Sequence, residues 1–123
     1  MGPELTRRFL SFERPVKLEG IYAVKLKTNR LENRYAKNNR RTINIDPGYL
    51  DMAKLVLFST KDYTHRIHLS KGIFAEVTLF YKDNRFNILP WTYPDYQTVE
   101  YLDIFNSMRN LYKESLKRGA RSA

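Results

Sequence analysis

The chain has 123 residues, 42% of them apolar and 28% charged, with 22 Lys plus Arg against 13 Asp plus Glu and a formal charge of +9. That length predicts one domain over residues 1–123, with a flexible tail at 118–123 and a core large enough to need no staples; the absence of cysteine excludes disulfides, zinc-thiolate sites and cysteine nucleophiles. No apolar run approaches the ~20 residues of a membrane span and Met1-Gly2-Pro3-Glu4 has no signal layout, so the expected protein is soluble and cytoplasmic, with no membrane partner.

Leu5 to Phe12 is bulky and bounded by Pro3 and Pro15, which suits a strand covered in part on both faces. From Glu19 to Lys27 the pattern is ambiguous, with Ile21, Ala23 and Lys25 on one parity against Tyr22, Val24 and Leu26 on the other, which favours a strand. Asn29 with Glu32 three residues on has the form of a capping box, opening a short polar helix to about Lys37 that Asn38-Asn39 would stop. Thr42 to Asp46 alternates as a strand, and Pro47-Gly48 has the chemistry of a turn. Ala53 to Thr60, with Leu55, Val56, Leu57 and Phe58 in succession, is apolar on both parities and belongs inside a sheet.

His65 to Leu69 and Ile73 to Tyr81 form a hairpin around Ser70-Lys71-Gly72, a three-residue loop with glycine at the left-handed position. Leu69 then faces Ile73, Ile67 meets Ala75 and Arg66 meets Glu76, so one face is apolar and the other carries an opposite-charge pair. Asp83-Asn84 suits a two-residue type I′ turn that sets Leu79 against Ile88, Tyr81 against Phe86 and Lys82 against Arg85. Pro90-Trp91-Thr92-Tyr93-Pro94-Asp95-Tyr96 is a stiff aromatic connector, since each proline restricts its own φ and the residue before it. Thr98 caps a closing helix whose stripe is Leu102, Phe105, Met108, Tyr112 and Leu116. The fold expected is α+β: a mainly antiparallel sheet of five or six strands with the C-terminal helix on its apolar face.

The charge is uneven. Residues 1–41 hold 11 basic and 4 acidic side chains, residues 42–108 hold 6 and 8, and residues 109–123 hold 5 and 1. Arg7, Arg8, Arg40, Arg41, Lys117 and Arg118 are what an anionic partner would meet; basic ends that only aid solubility are the alternative. Arg66, His68 and Glu76 share a sheet face in this reading, with Lys61 and Asp62 in the loop before it. A guanidinium fork can grip phosphate or carboxylate while imidazole and carboxylate move a proton. The competing account is a plain cross-strand ion pair contributing about 0.2–1 kcal/mol. Phe74 and Phe80 on that face call for a cover, and a second subunit is one, which makes a homo-oligomer through this face the expected assembly. His65 and His68 stand three apart on a strand and so point oppositely, which removes the metal chelate, and no cofactor motif is present. Trp91, Tyr93 and Tyr96 could stack on bases, or the loop folds onto its own domain, with Trp91 filling a gap.

Asn44-Ile45-Asp46-Pro47-Gly48-Tyr49-Leu50, Ser59-Thr60-Lys61-Asp62, His65-Arg66-Ile67, Gly72-Ile73-Phe74-Ala75-Glu76-Val77-Thr78-Leu79 and Pro90-Trp91-Thr92-Tyr93-Pro94-Asp95-Tyr96 together resemble a prokaryotic family known only as a domain of unknown function. The resemblance implies a family but no activity, substrate or site. Some relatives carry a GTP-binding label, which these residues do not support: there is no G-x-x-x-x-G-K-[ST] loop and no Thr-Lys-x-Asp guanine reader. It also implies a strand-helix-strand stretch ahead of Leu5 in relatives, with Met1 an internal start and a bare surface that favours self-association. The leading functional expectation is a non-enzymatic binding module for nucleic acid or a phosphorylated metabolite. An enzyme using Arg66, His68 and Glu76 with Lys61 and Asp62, and a subunit-forming domain, stand as alternatives.

Overall fold

Strand-forming residues gather in the middle of the chain, and the computed structural model, which describes residues 6–122, joins them in a five-stranded sheet. In chain order the elements are α1 (Tyr22–Arg34), β1 (Gly48–Leu50), β2 (Lys54–Ser59), β3 (Arg66–Ser70), β4 (Ile73–Lys82), β5 (Arg85–Ile88), a 3-10 turn at Pro94–Gln97 and α2 (Val99–Ser122). The strand order is β1-β2-β4-β3, with β5 antiparallel on β4. This is the α+β architecture expected, an antiparallel sheet with a C-terminal helix. By its contacts the chain divides into two compact units, Met1–Gly48 with Phe58–Ala75, and Tyr49–Leu57 with Glu76–Ala123.

In the first unit the strand expected from Leu5 to Phe12 is not formed: Leu5 lies outside the described residues, and Thr6 to Phe12 have no regular structure, with Leu10 and Phe12 exposed. A strand needs a neighbour for its N–H and C=O groups, and the sheet takes in none of these residues. The strand expected over Glu19–Lys27 is instead the first half of α1. Its buried positions are Lys25 and Glu32, with half-buried Tyr22, Thr28 and Asn29 on the same helical rows. The two buried positions are polar, while Val24 is exposed and Leu26 and Leu31 are only half-buried, so hydrophobic periodicity is weak here. Asn29 therefore sits mid-helix rather than at a cap, and Glu32 reaches forward, accepting the Ile45 N–H at 2.8 Å. That bond uses a backbone donor that the strand expected over Thr42–Asp46 would need, and the segment is irregular. Pro47-Gly48 is no turn: Pro47 O accepts the Phe58 N–H at 3.0 Å as the chain enters β1.

The β3–β4 loop is shorter than expected. β3 includes Ser70, β4 resumes at Ile73, and Lys71 (φ 50°) and Gly72 (φ 76°) both stand in the left-handed region. A two-residue turn of the I′ kind results, reached because Lys71 accepts a φ uncommon outside glycine. The expected face assignment fails with it: Ile67 is 73% exposed and Leu69 41%, whereas Glu76 is 4% exposed and Thr78 fully buried.

The second unit follows the sequence more closely. β2 buries Leu55 and Val56 on opposite parities, as an interior strand must. Asp83 and Asn84 (φ 55° and 62°) make the expected I′ turn, pairing Leu79 with Ile88, Tyr81 with Phe86 and Lys82 with Arg85. Thr98 Oγ1 accepts the Tyr101 N–H at 3.2 Å, capping α2, which packs against β5 and the 3-10 turn. Phe105 is the buried centre of its stripe, Leu102, Met108 and Tyr112 are half-buried, and Leu116 is exposed.

Candidate functional site

In the first unit Lys61 and Asp62 lie on the loop before β3 and Arg66 opens that strand: an Arg66 Nη donates to Lys61 O at 3.1 Å, tying the guanidinium to the loop. Lys61 and Asp62 are exposed and Arg66 is half-buried. His68 is exposed; its Nε2 accepts the Gly72 N–H at 3.2 Å and its ring meets Phe74 edge to face at 5.2 Å. One ring nitrogen is thus tied to the hairpin on which His68 stands. His65 packs instead against Tyr63, at 5.3 Å, and among the described residues no group of three or more His, Cys, Asp or Glu is placed to hold a metal ion.

Glu76 belongs to the second unit and is not a solvated partner. It is buried, and Thr78 Oγ1 donates to its Oε2 at 3.1 Å. A carboxylate in that setting is anchored by a hydroxyl of its own strand, which is structural chemistry before it is proton transfer. Phe74 and Phe80 are each half-buried.

The aromatic connector is folded onto its own unit. Trp91 Nε1 donates to Val77 O at 2.7 Å, and Thr92 Oγ1 donates to Thr78 O at 2.6 Å while accepting the Leu89 N–H at 2.9 Å. Tyr96 is buried, stacked on Phe105 at 5.7 Å and edge-on to Tyr101 at 5.5 Å. Of the three rings proposed for base stacking only Tyr93 is exposed.

The basic residues divide between the units. Arg7, Arg8, Arg40 and Arg41 are exposed on the first, Lys117 and Arg118 on the second. The stretches of the first unit hold 14 Lys plus Arg and 6 Asp plus Glu; those of the second hold 8 and 7. A net charge of +8 therefore sits on one unit and +1 on the other, residues 1–48 carrying +6 of the first unit's charge and residues 58–75 the other +2. Within the second unit an opposite pair is spent internally: Asp51 accepts the Ala53 and Lys54 N–H groups at 2.8 and 2.9 Å and the Lys54 ammonium at 3.0 Å. Burial alone would raise the Asp51 carboxyl, but the Lys54 ammonium and those N–H groups outweigh it and hold the group below its ordinary value. Arg109 is likewise committed, donating from Nε to Met52 O at 2.9 Å with its guanidinium 3.5 Å above the Tyr81 ring.

Sequence reasoning missed Glu32, Lys25 and Arg109, whose partners are 13 or more residues away or whose burial breaks the apolar pattern; no local signal marks them. Among the described residues no helix is long and apolar enough to cross a membrane. A family model described as "Domain of unknown function (DUF4416)" matches residues 1–112. Among curated proteins and solved structures none matches the chain.

Proposed function

This chain belongs to the DUF4416 family, and from that premise, which carries no activity, we propose that it is a non-enzymatic binding module for an anionic partner, nucleic acid ahead of a phosphorylated metabolite. The observation that carries the proposal is the concentration of +8 on the first unit, with Arg7, Arg8, Arg40 and Arg41 exposed on it. Charge spread over an exposed arm and loop suits an extended polyanion, whose counterions it displaces, better than a compact anion needing a closed pocket. Lys61 and Arg66 add a local anion grip, Arg66 being already oriented by the Lys61 carbonyl. The proposed setting is the cytoplasm.

The enzymatic alternative through Arg66, His68 and Glu76 has less support, because Glu76 is buried and engaged by Thr78 while His68 serves its own hairpin. Self-association has one observation in its favour, the run of exposed Leu10, Phe12, Val16 and Leu18 in the first unit. Sedimentation decides it: a strict monomer at all concentrations removes that role. For the leading proposal the test is binding of generic single- and double-stranded nucleic acid across a salt series. A steep fall in affinity with salt is expected, and absence of binding even at low salt overturns it.

A further inference from the structure

Past the end of α1 the chain makes a small basic hairpin. Lys37 and Arg40 exchange both backbone bonds, N–H to O at 2.9 Å each way, around Asn38 (φ 53°) and Asn39 (φ 60°), a two-residue left-handed turn. The hairpin is pinned at its root. Thr42 Oγ1 donates to Tyr35 O at 2.6 Å, the Tyr35 N–H donates to Leu31 O at 3.2 Å, and buried Glu32 accepts the Ile45 N–H. Arg41 donates to Asn44 Oδ1 at 3.0 Å, with its guanidinium 3.9 Å from Glu32. Arg34, Tyr35, Lys37, Arg40 and Arg41 are all exposed, Tyr35 by 54%, and residues 33–45 contain no Asp or Glu. Two acids flank the hairpin's root: Glu32 is buried and accepts the Ile45 N–H, and Asp46, exposed, accepts from the Asn44 amide at 3.2 Å.

We propose that this hairpin is a single-stranded nucleic-acid contact, with the Tyr35 ring stacking on a base and Lys37 and Arg40 holding neighbouring phosphates; the proposal rests on the anionic-partner reading and names its substrate class. Paired residues that exchange both bonds have Cα atoms about 5.5 Å apart and side chains on the same face, so two cations stand side by side on a fixed base. An exposed aromatic residue two positions before exposed cations supplies the two groups that grip single strands, because unpaired bases offer a π-face beside the phosphates. A duplex hides those faces in its stack and would leave Tyr35 idle. A membrane surface would want apolar anchors, and beyond Tyr35 the hairpin exposes only Ile43.

The test measures binding of a fluorescent oligo-dT 20-mer, a 20-base-pair duplex, polyglutamate and phosphatidylserine vesicles to the full chain over a salt series. Tyr35→Ala is expected to weaken oligo-dT about tenfold or more, and Tyr35→Trp to restore it. Lys37→Gln with Arg40→Gln is expected to lower the slope of log affinity against log salt by about 0.7 per cation removed. These changes take away none of the bonds that pin the hairpin. Tyr35→Ala binding like wild type, or duplex, polyglutamate or vesicles bound as tightly as oligo-dT, overturns the single-strand contact and leaves the anionic-partner reading standing. Failure of every polyanion to bind at low salt removes both.

Discussion

Two carboxylates illustrate how little a residue type says about its use. Asp51 folds its own turn, satisfying two N–H groups and one ammonium, and its lowered carboxyl makes the sign of the pH effect definite. A group with a depressed folded pKa adds stability above its unfolded value near 3.9 and loses it as pH falls through the folded value. Urea melts of wild type should therefore weaken between neutral pH and pH 3, and Asp51→Asn should flatten that decline. Glu32 works over a longer reach, receiving a backbone N–H from 13 residues on. Glu32→Ala leaves that donor unmet and should cost about 1–3 kcal/mol in chemical denaturation. Glu32→Gln keeps an acceptor and should cost less. Neither role is legible in the sequence, where Asp51 is one of several turn acids and Glu32 looks like the far half of a capping box. Glu76 carries the same lesson, since alternation put it in water while the structure buries it against Thr78.

Hairpins differ in how far their sequence determines them. Asp83-Asn84 is legible because both residues tolerate left-handed backbone, and the register follows from the turn. Asn84→Gly, which removes the Cβ penalty at φ 62°, should raise stability by about 0.5–1 kcal/mol, and Asn84→Val should lower it by about 1–2 kcal/mol; thermal melts of the two variants give the comparison. Ser70-Lys71-Gly72 is ambiguous by contrast, because a left-handed lysine looks improbable until the strands on either side demand it. The connector after β5 is legible as irregular from its prolines, yet its docking is tertiary. Trp91→Phe, which removes the 2.7 Å bond from Nε1 to the Val77 carbonyl, should cost about 0.5–1.5 kcal/mol in urea unfolding.

At the scale of the whole molecule the charge partition makes a prediction that the segment counts do not. If the first unit supplies the field, Arg8→Glu with Arg40→Glu should weaken nucleic-acid binding far more than Lys117→Glu with Arg118→Glu, although each pair changes the net charge equally. Equal losses would point to non-specific attraction by total charge. The comparison is made at one low salt concentration by fluorescence anisotropy.

Composition and alternation alone determined the α+β class, the interior strand around Leu55 and Val56, the Asp83-Asn84 register and the capped closing helix, because each depends on contacts between near neighbours or on one unbroken apolar pattern. The helical state of Tyr22–Arg34, the burial of Glu76, the exposure of Ile67 and the pinned hairpin beyond Tyr35 were decided only by tertiary structure. In each case a polar group found its partner, or an apolar one failed to, through chain segments whose proximity local pattern does not encode.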